Sequence, residues 1–289
     1  MSSGAITVRF WGVRGSLATS GADFAAVGGN TTCIEVRAGD ELIILDAGTG
    51  LYPLAQTLPT PVRATFLFSH YHWDHIQGFP FFRPAFVAAN EFTIYGLASS
   101  DGEVEEMFAR QMEPPFFPVP IGTLAAQLTF RALQAGDDFE VGGVRIQTGP
   151  LCHPQQCLAY RISYNGASVV FATDTEPPSA GEVDPNVVEL ARGADVLIHD
   201  SQYTEEEYDG RCGPARQGWG HSTIADACRV AKASGVRQLA LFHHDPSHTD
   251  DFVERMAAAA RSLFPHTIIA REGLTLTIGA QQARSRRAA

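Results

Sequence analysis

The run Ala64-Thr65-Phe66-Leu67-Phe68 reads as a buried strand and leads straight into Ser69-His70-Tyr71-His72-Trp73-Asp74-His75. In extended backbone, side chains two apart share a face, so His70 and His72 can converge on one point beyond the strand's end. Asp74 and His75 open the next segment and can address a second point close by. Imidazole and carboxylate are donors that zinc accepts, so the stretch reads as half of a two-metal site. A histidine-rich surface loop is the competing reading. Four metal-competent side chains within His70 to His75, placed after an apolar strand, count against it.

The rest of the chain supplies strands and strand ends around this stretch. Ile6 to Trp11 alternates as a strand, Gly12-Val13-Arg14-Gly15-Ser16 turns out of it, and further strands are expected from Thr31 to Arg37 and from Glu41 to Leu45. The loop Asp46-Ala47-Gly48-Thr49-Gly50 lacks the Lys and the spacing of a P-loop, which excludes that kind of nucleoside triphosphatase. A short helix is expected near Leu51, a strand near Phe92 to Tyr95 and a helix near Glu103 to Gln111. The segments Phe79 to Phe86 and Met112 to Pro120 are aromatic and proline-rich, and read as irregular walls: a lid, a cover for the core edge, or a homodimer face. Asn165-Gly166 marks a hairpin between Leu158 to Tyr164 and Ala167 to Phe171. Beyond Asp174, strands at Asp195 to His199 and Gln238 to Phe242 alternate with helices at Ser222 to Ser234 and Thr249 to Phe264, and Leu274 to Ile278 can close a sheet. No repeat or linker divides the chain, so one domain over residues 1–280 is expected, followed by a disordered basic tail, 281–289, containing Arg284-Ser285-Arg286-Arg287. The pattern alone gives α/β or α+β.

A formal net charge of −11 disfavours a surface that tracks a long polyanion, while a small anionic substrate remains admissible. No 18-residue apolar run occurs and no secretory leader is visible, which points to a cytoplasmic protein without a membrane span. The five cysteines (33, 152, 157, 212 and 228) match no zinc or redox spacing and read as reduced, mostly packed thiols. Cys152 beside His153 reads as a small core residue, with metal contact as the alternative.

The pattern His-x-His-x-Asp-His at His70, His72, Asp74 and His75 resembles the signature of the metallo-β-lactamase-fold hydrolases. The resemblance implies a four-layer αββα sandwich, and it extends from Asp46 to His243 with the motifs in the family's order. It further implies that His70, His72 and His153 hold one metal, that Asp74, His75 and His243 hold a second, that Asp174 lies between them, and that Asp46 supports the ligands from behind. His153 follows the strand Val144 to Thr148, Asp174 ends the strand begun near Ala167, and His243 ends Gln238 to Phe242. Any one of these alone reads more often as a hydrogen-bonded structural residue, and it is their arrival at successive strand ends that joins them. A donor set without thiolate suits two divalent ions, Zn²⁺ first, with Mn²⁺ or Fe²⁺ also accepted. Strand alternation points His244 away from the site, and it reads with Asp245 and His248 as packing or support.

Two such ions ~4 Å apart can share a water, lower its pKa and clamp an in-line displacement, chemistry that serves phosphodiesters, lactones, thioesters and β-lactams alike. A second constellation narrows the choice. Asp200, in His199-Asp200-Ser201-Gln202, and His221, in Gly218-Trp219-Gly220-His221-Ser222-Thr223, resemble the acid and the proton-donating His of the ribonuclease Z-like phosphodiesterase branch. The expected catalytic set is therefore Asp74, His221 and Asp200, with the His worth ~10²- to 10⁴-fold on a poor leaving group. The competing reading makes Ser222 a plain helix N-cap and His221 incidental. Two features depart from the ribonucleases. The region bearing Glu103, Glu105, Glu106, Glu113, Asp137 and Asp138 is acidic and proline-rich where ribonuclease Z carries a basic arm, and His244-Asp245-Pro246-Ser247-His248 replaces the family's serine and arginine. A small phosphodiester, such as a cyclic nucleotide or a short nucleotide product, is thus expected in preference to transfer RNA. A lactone or thioester hydrolase of the same fold and a non-catalytic metal-binding sensor are the alternatives. Trp73 is expected either to stack on a base or to pack beneath the metals.

Overall fold

In the strand Glu41–Leu45, Ile43 and Leu45 pack into one apolar core while Leu42 and Ile44 pack into another. A strand apolar on both faces has to be covered on both sides, and the architecture follows from that need. The computed structural model describes residues 4–179 and 181–279 and contains two seven-stranded mixed sheets. The first runs in the order Thr275–Ile278, Ile6–Gly12, Cys33–Ala38, Glu41–Leu45, Arg63–Leu67, Glu91–Leu97, Gln127–Leu133, antiparallel up to Glu41–Leu45 and parallel beyond it. The second runs Thr267–Ile269, Gln238–Phe242, Val196–Asp200, Ala167–Ala172, Cys157–Tyr164, Val144–Leu151, Asp138–Val141, parallel over its first four strands and antiparallel thereafter.

The sheets face each other across the larger core, where Phe10 of the first meets Phe242 of the second with ring centres 6.2 Å apart. The helices Pro185–Ala191, Ile224–Ser234 and Asp250–Leu263 cover the outer face of the second sheet. Leu51–Ala55 and Asp101–Gln111 cover the first. This is the four-layer αββα sandwich.

On the outer side of the first sheet, Phe66 is ringed by Phe79, Phe82 and Phe92 at edge-to-face angles, and Phe108 packs on Phe68 at 4.6 Å. The segment after the histidine motif is therefore two short 3-10 turns, Phe79–Phe81 and Arg83–Phe86, with Phe79 and Phe82 buried as cover for the core edge. Phe81 and Phe116 remain exposed and line an apolar pocket with Tyr71 and Trp73. The hairpin turn lies at Asn165-Gly166, both with positive φ (48° and 80°) as that turn demands. The strand Thr267–Ile269 is too short to show a period, and the helix Pro185–Ala191 starts at the pair Asp184-Pro185, where Asp184 caps it by accepting the Asn186 N–H at 2.8 Å. The expected tail, 281–289, lies outside the described residues. No helix among the described residues is long and apolar enough to cross a membrane.

Candidate metal centre

Asp46, Asp174 and His243 follow strand ends and share an uncommon backbone conformation, with φ of 56°, 53° and 60°. Non-glycine residues held in this left-handed region cost of order 1–3 kcal/mol each, and such strain collects where side-chain placement matters. Here it ends three strands at one edge of the sandwich. His70 follows Arg63–Leu67 and His153 follows Val144–Leu151 at the same edge.

Among the described residues three groups of donors could each hold a metal ion: His70, His72, His153 and Asp174; Asp74, His75, His243 and Asp174; and Asp174, Asp200, His221 and His243. In the second, Asp74 Oδ2 lies 3.2 Å from both His75 Nε2 and His243 Nε2, and Asp174 Oδ1 lies 3.3 and 3.2 Å from the same two nitrogens. In the first, His72 Nδ1 is 3.3 Å from His153 Nε2, and His70 Nε2 is 3.6 Å from Asp174 Oδ2. Donors ~2.0–2.2 Å from a tetrahedral ion stand ~3.3–3.6 Å apart, so these spacings suit one. His70 Nε2 and His75 Nε2 are buried and have no hydrogen-bond partner among the described residues, a cost that a cation at that point would remove.

The opposite ring nitrogens are occupied. His75 Nδ1 faces Asp46 Oδ2 at 2.8 Å, His243 Nδ1 faces Gln202 Oε1 at 2.9 Å, His153 Nδ1 faces the Gly220 carbonyl at 3.1 Å, and His72 Nε2 faces Gln155 Oε1 at 2.6 Å. Each acceptor takes the ring's outer N–H, so the inward nitrogen is the one able to offer a lone pair to a metal ion in place of a proton, the arrangement that metal-binding imidazoles use. Asp46 is itself fixed, since it accepts the Ser69 N–H and hydroxyl, both at 2.7 Å.

Electrostatics point the same way. Asp46, Asp74, Asp174 and Asp200 are buried, and among the described residues they pair with imidazoles rather than with Arg or Lys. Burial would raise the pKa of Asp74 and Asp174, but the surrounding imidazoles override it and hold both well below the usual carboxylate range. Burial would lower the pKa of His75, yet Asp174, Asp74 and Asp46 together raise it well above the ordinary imidazole value. So much buried negative charge calls for cations. The donor set suits divalent metal ions.

His221 adjoins this centre. Its Nδ1 lies 2.7 Å from Asp200 Oδ2, and its ring stacks on His243 with centres 5.0 Å apart. Burial works against the charged ring, but Asp200, and behind it Asp174 and Asp74, raise its pKa to about 9. Ser222 is not the helix cap: its hydroxyl donates to the Thr175 carbonyl at 2.6 Å, and Thr223 caps Ile224–Ser234 in a reciprocal box with Asp226.

Residues 42–244 match the beta-lactamase superfamily domain. The chain belongs to that family. A ribonuclease Z from Methanosarcina mazei is 26% identical over 94% of this chain and 98% of its own length, and a ribonuclease BN from Erwinia tasmaniensis is 25% identical over 79% and 87%. The metallo-β-lactamase fold protein YhfI from Bacillus subtilis has the same fold, with a TM-score of 0.69 over 94% of this chain and 99% of that one at 20% identity. Family membership and the His/Asp groups together support a metal-dependent hydrolase.

Other residues around the centre hold the donors in place. Gln202, Gln155 and the Gly220 carbonyl hold the outer nitrogens, and Cys157 Sγ lies 3.7 Å from His70 Nδ1. The loop after Ile6–Gly12 closes the site, with Ser16 N–H donating to Asp74 Oδ2 at 2.7 Å. Arg14 within that loop is fully buried, donating to the carbonyls of Gly28, Asp245 and His248. His244 donates its ring N–H to the Ala270 carbonyl and His248 bonds Glu207, so both support rather than face the centre. Cys152 is exposed rather than packed, as is Cys212, while Cys33, Cys157 and Cys228 are buried. Trp73 is 80% exposed and therefore does not pack beneath the metal positions.

Proposed function

We propose that the protein is a binuclear metal-dependent phosphodiesterase acting on a small phosphodiester. In this reading His70, His72 and His153 hold one divalent ion, Asp74, His75 and His243 hold the second, and Asp174 serves both, with Zn²⁺ the best match and Mn²⁺ or Fe²⁺ acceptable. Ions bound there supply Lewis acidity towards a phosphoryl oxygen and a lowered pKa for water. The chain's own residues do the rest. His221 donates a proton from Nε2 to the departing alkoxide, while Asp200 fixes its Nδ1–H and favours its charged form.

The observation that carries the reading is the Asp200–His221 pair, which lies in contact with the donor groups: Asp174, Asp200, His221 and His243 bring their polar atoms within 4.8 Å of one another. An alkoxide leaving group needs such a proton, whereas the thiolate that leaves a thioester does not. A small substrate is supported by the net charge of −11 and by the pairing of surface arginines with neighbouring acids, as in Arg63–Glu91, Arg110–Glu106 and Arg145–Asp138. Ribonucleic acid is the second reading, favoured by the full-length match to a ribonuclease Z.

The test is turnover of bis(p-nitrophenyl) phosphate by metal-stripped protein reloaded with Zn²⁺ or Mn²⁺, beside a cyclic nucleotide, a structured RNA, a lactone and a thioester. Metal-dependent cleavage of the diester and the cyclic nucleotide is expected. Cleavage of the lactone or thioester alone would replace the phosphodiesterase reading, and processing of the RNA alone would replace the small substrate.

A further inference from the structure

Glu176 lies two residues beyond Asp174, is buried, and has no task in the chemistry above. Its N–H donates to the Cys152 carbonyl at 2.8 Å, which ties it to the loop bearing His153. Its carboxylate accepts three donors: the Tyr208 hydroxyl at 2.5 Å and Gly218 N–H at 2.8 Å on Oε1, and Gly220 N–H at 2.8 Å on Oε2. Gly218 and Gly220 have φ of 81° and 86°, conformations glycine alone adopts readily, so the Gly-Trp-Gly segment is folded around this carboxylate.

Two consequences reach the centre. The Gly220 carbonyl is presented to His153 Nδ1 at 3.1 Å, in an approach so close that a Cβ on Gly220 would lie 2.1 Å from that nitrogen. His221 follows directly, and Ser222 bonds the Thr175 carbonyl, so the segment 174–176 is joined to 218–222 at successive points. An amide could not replace the carboxylate, because it has one acceptor oxygen and its NH₂ would oppose an N–H donor.

We propose that Glu176 is a positioning residue that couples the segment bearing Asp174 to both His153 and His221. Through Gly220 it sets which nitrogen of His153 carries the proton, and through the same glycine it sets where His221 stands. The His221 half rests on the phosphodiesterase reading; the His153 half concerns metal binding alone.

The test is Glu176→Gln. Zn²⁺ affinity is measured by chelator competition, melting by circular dichroism, and turnover on 3′,5′-cyclic AMP and on bis(p-nitrophenyl) phosphate. Zn²⁺ affinity is expected to fall about tenfold or more, and the ratio of cyclic-nucleotide to activated-diester turnover to fall about tenfold or more. A role confined to folding would lower the melting temperature and leave both unchanged. Wild-type Zn²⁺ affinity overturns the His153 half, and a wild-type ratio overturns the His221 half. Should Glu176→Gln not fold, Glu176→Asp is read in the same way, since it keeps both oxygens but is one methylene too short to hold both glycines. If the wild-type protein cleaves neither ester the phosphodiesterase reading fails, and the Zn²⁺ titration still decides the role of Glu176.

Discussion

The imidazole of His221 stacks on that of His243, with ring centres 5.0 Å apart and planes 23° from parallel. A proposed proton donor thus rests on a proposed metal ligand and lies at hydrogen-bonding distance from Asp200, whose Oδ2 is also 3.8 Å from His243 Nδ1. Removing the ring takes away the proton while every member of the first two donor groups stays in the chain, His243 losing its stacking partner. His221→Ala is therefore expected to lower kcat on a cyclic nucleotide by ~10²- to 10⁴-fold while changing turnover of bis(p-nitrophenyl) phosphate far less, because p-nitrophenolate leaves unaided. Steady-state kinetics on the two substrates checks this, and equal losses on both would remove His221 from the role of acid.

The sign of the pH effect follows from the same pair. His221 donates only when charged, and its pKa is raised to about 9, with Asp200 the foremost of the groups that raise it against burial. Activity on the cyclic nucleotide should fall as pH rises through that value. Asp200→Asn removes the foremost raising charge, so the basic limb should move to lower pH by ~1 unit or more. The activated diester should show no such displacement. A basic limb that stays in place would mean that another group controls it.

Asp46 makes no approach to the inner faces of the donor groups, yet it orients one of them. It holds His75 Nδ1 at 2.8 Å and is held in turn by Ser69 N–H and hydroxyl. Asp46→Asn keeps the volume but leaves one acceptor oxygen where three donors compete. Metal affinity is expected to fall ~10- to 100-fold with the fold retained, measured by chelator competition together with far-ultraviolet circular dichroism.

How much of this is legible in the sequence depends on whether a residue's partner is near in the chain. His70, His72, Asp74 and His75 announce themselves because a strand-to-helix step places all four within six residues. His153, Asp174 and His243 become visible as residues at strand ends, and the structure brings them into the same two groups. Gln202, Gln155 and Glu176 carry no such mark. Each acts through a partner 41 to 83 residues away, a pairing that only the tertiary fold creates. Ser222 illustrates the opposite error. Its local pattern is that of a helix cap, but Thr223 takes the cap and tertiary packing gives Ser222 the Thr175 carbonyl instead. The fold itself reads more easily, since the unbroken apolar run Leu42 to Leu45 already demands a layer on each side. Short edge strands such as Thr267–Ile269 do not read, having too few residues to show a period.

Gly15 gives a prediction that depends on space alone. Its N–H donates to the His244 carbonyl at 3.0 Å, which brings the backbone against the site, and a Cβ there would lie 2.4 Å from both Cε1 and Nδ1 of His243. The ring cannot retreat without leaving Gln202, which holds its Nδ1 at 2.9 Å, or losing its stacking on His221. Gly15→Ala should therefore displace His243 and weaken metal binding about tenfold or more, although the substitution adds a single methyl group and removes no polar atom. Zinc titration of the stripped variant checks the affinity, and a thermal melt without metal checks that the fold survives. Wild-type affinity in a folded Gly15→Ala protein would mean that His243 has room to move and is not held as tightly as its contacts imply.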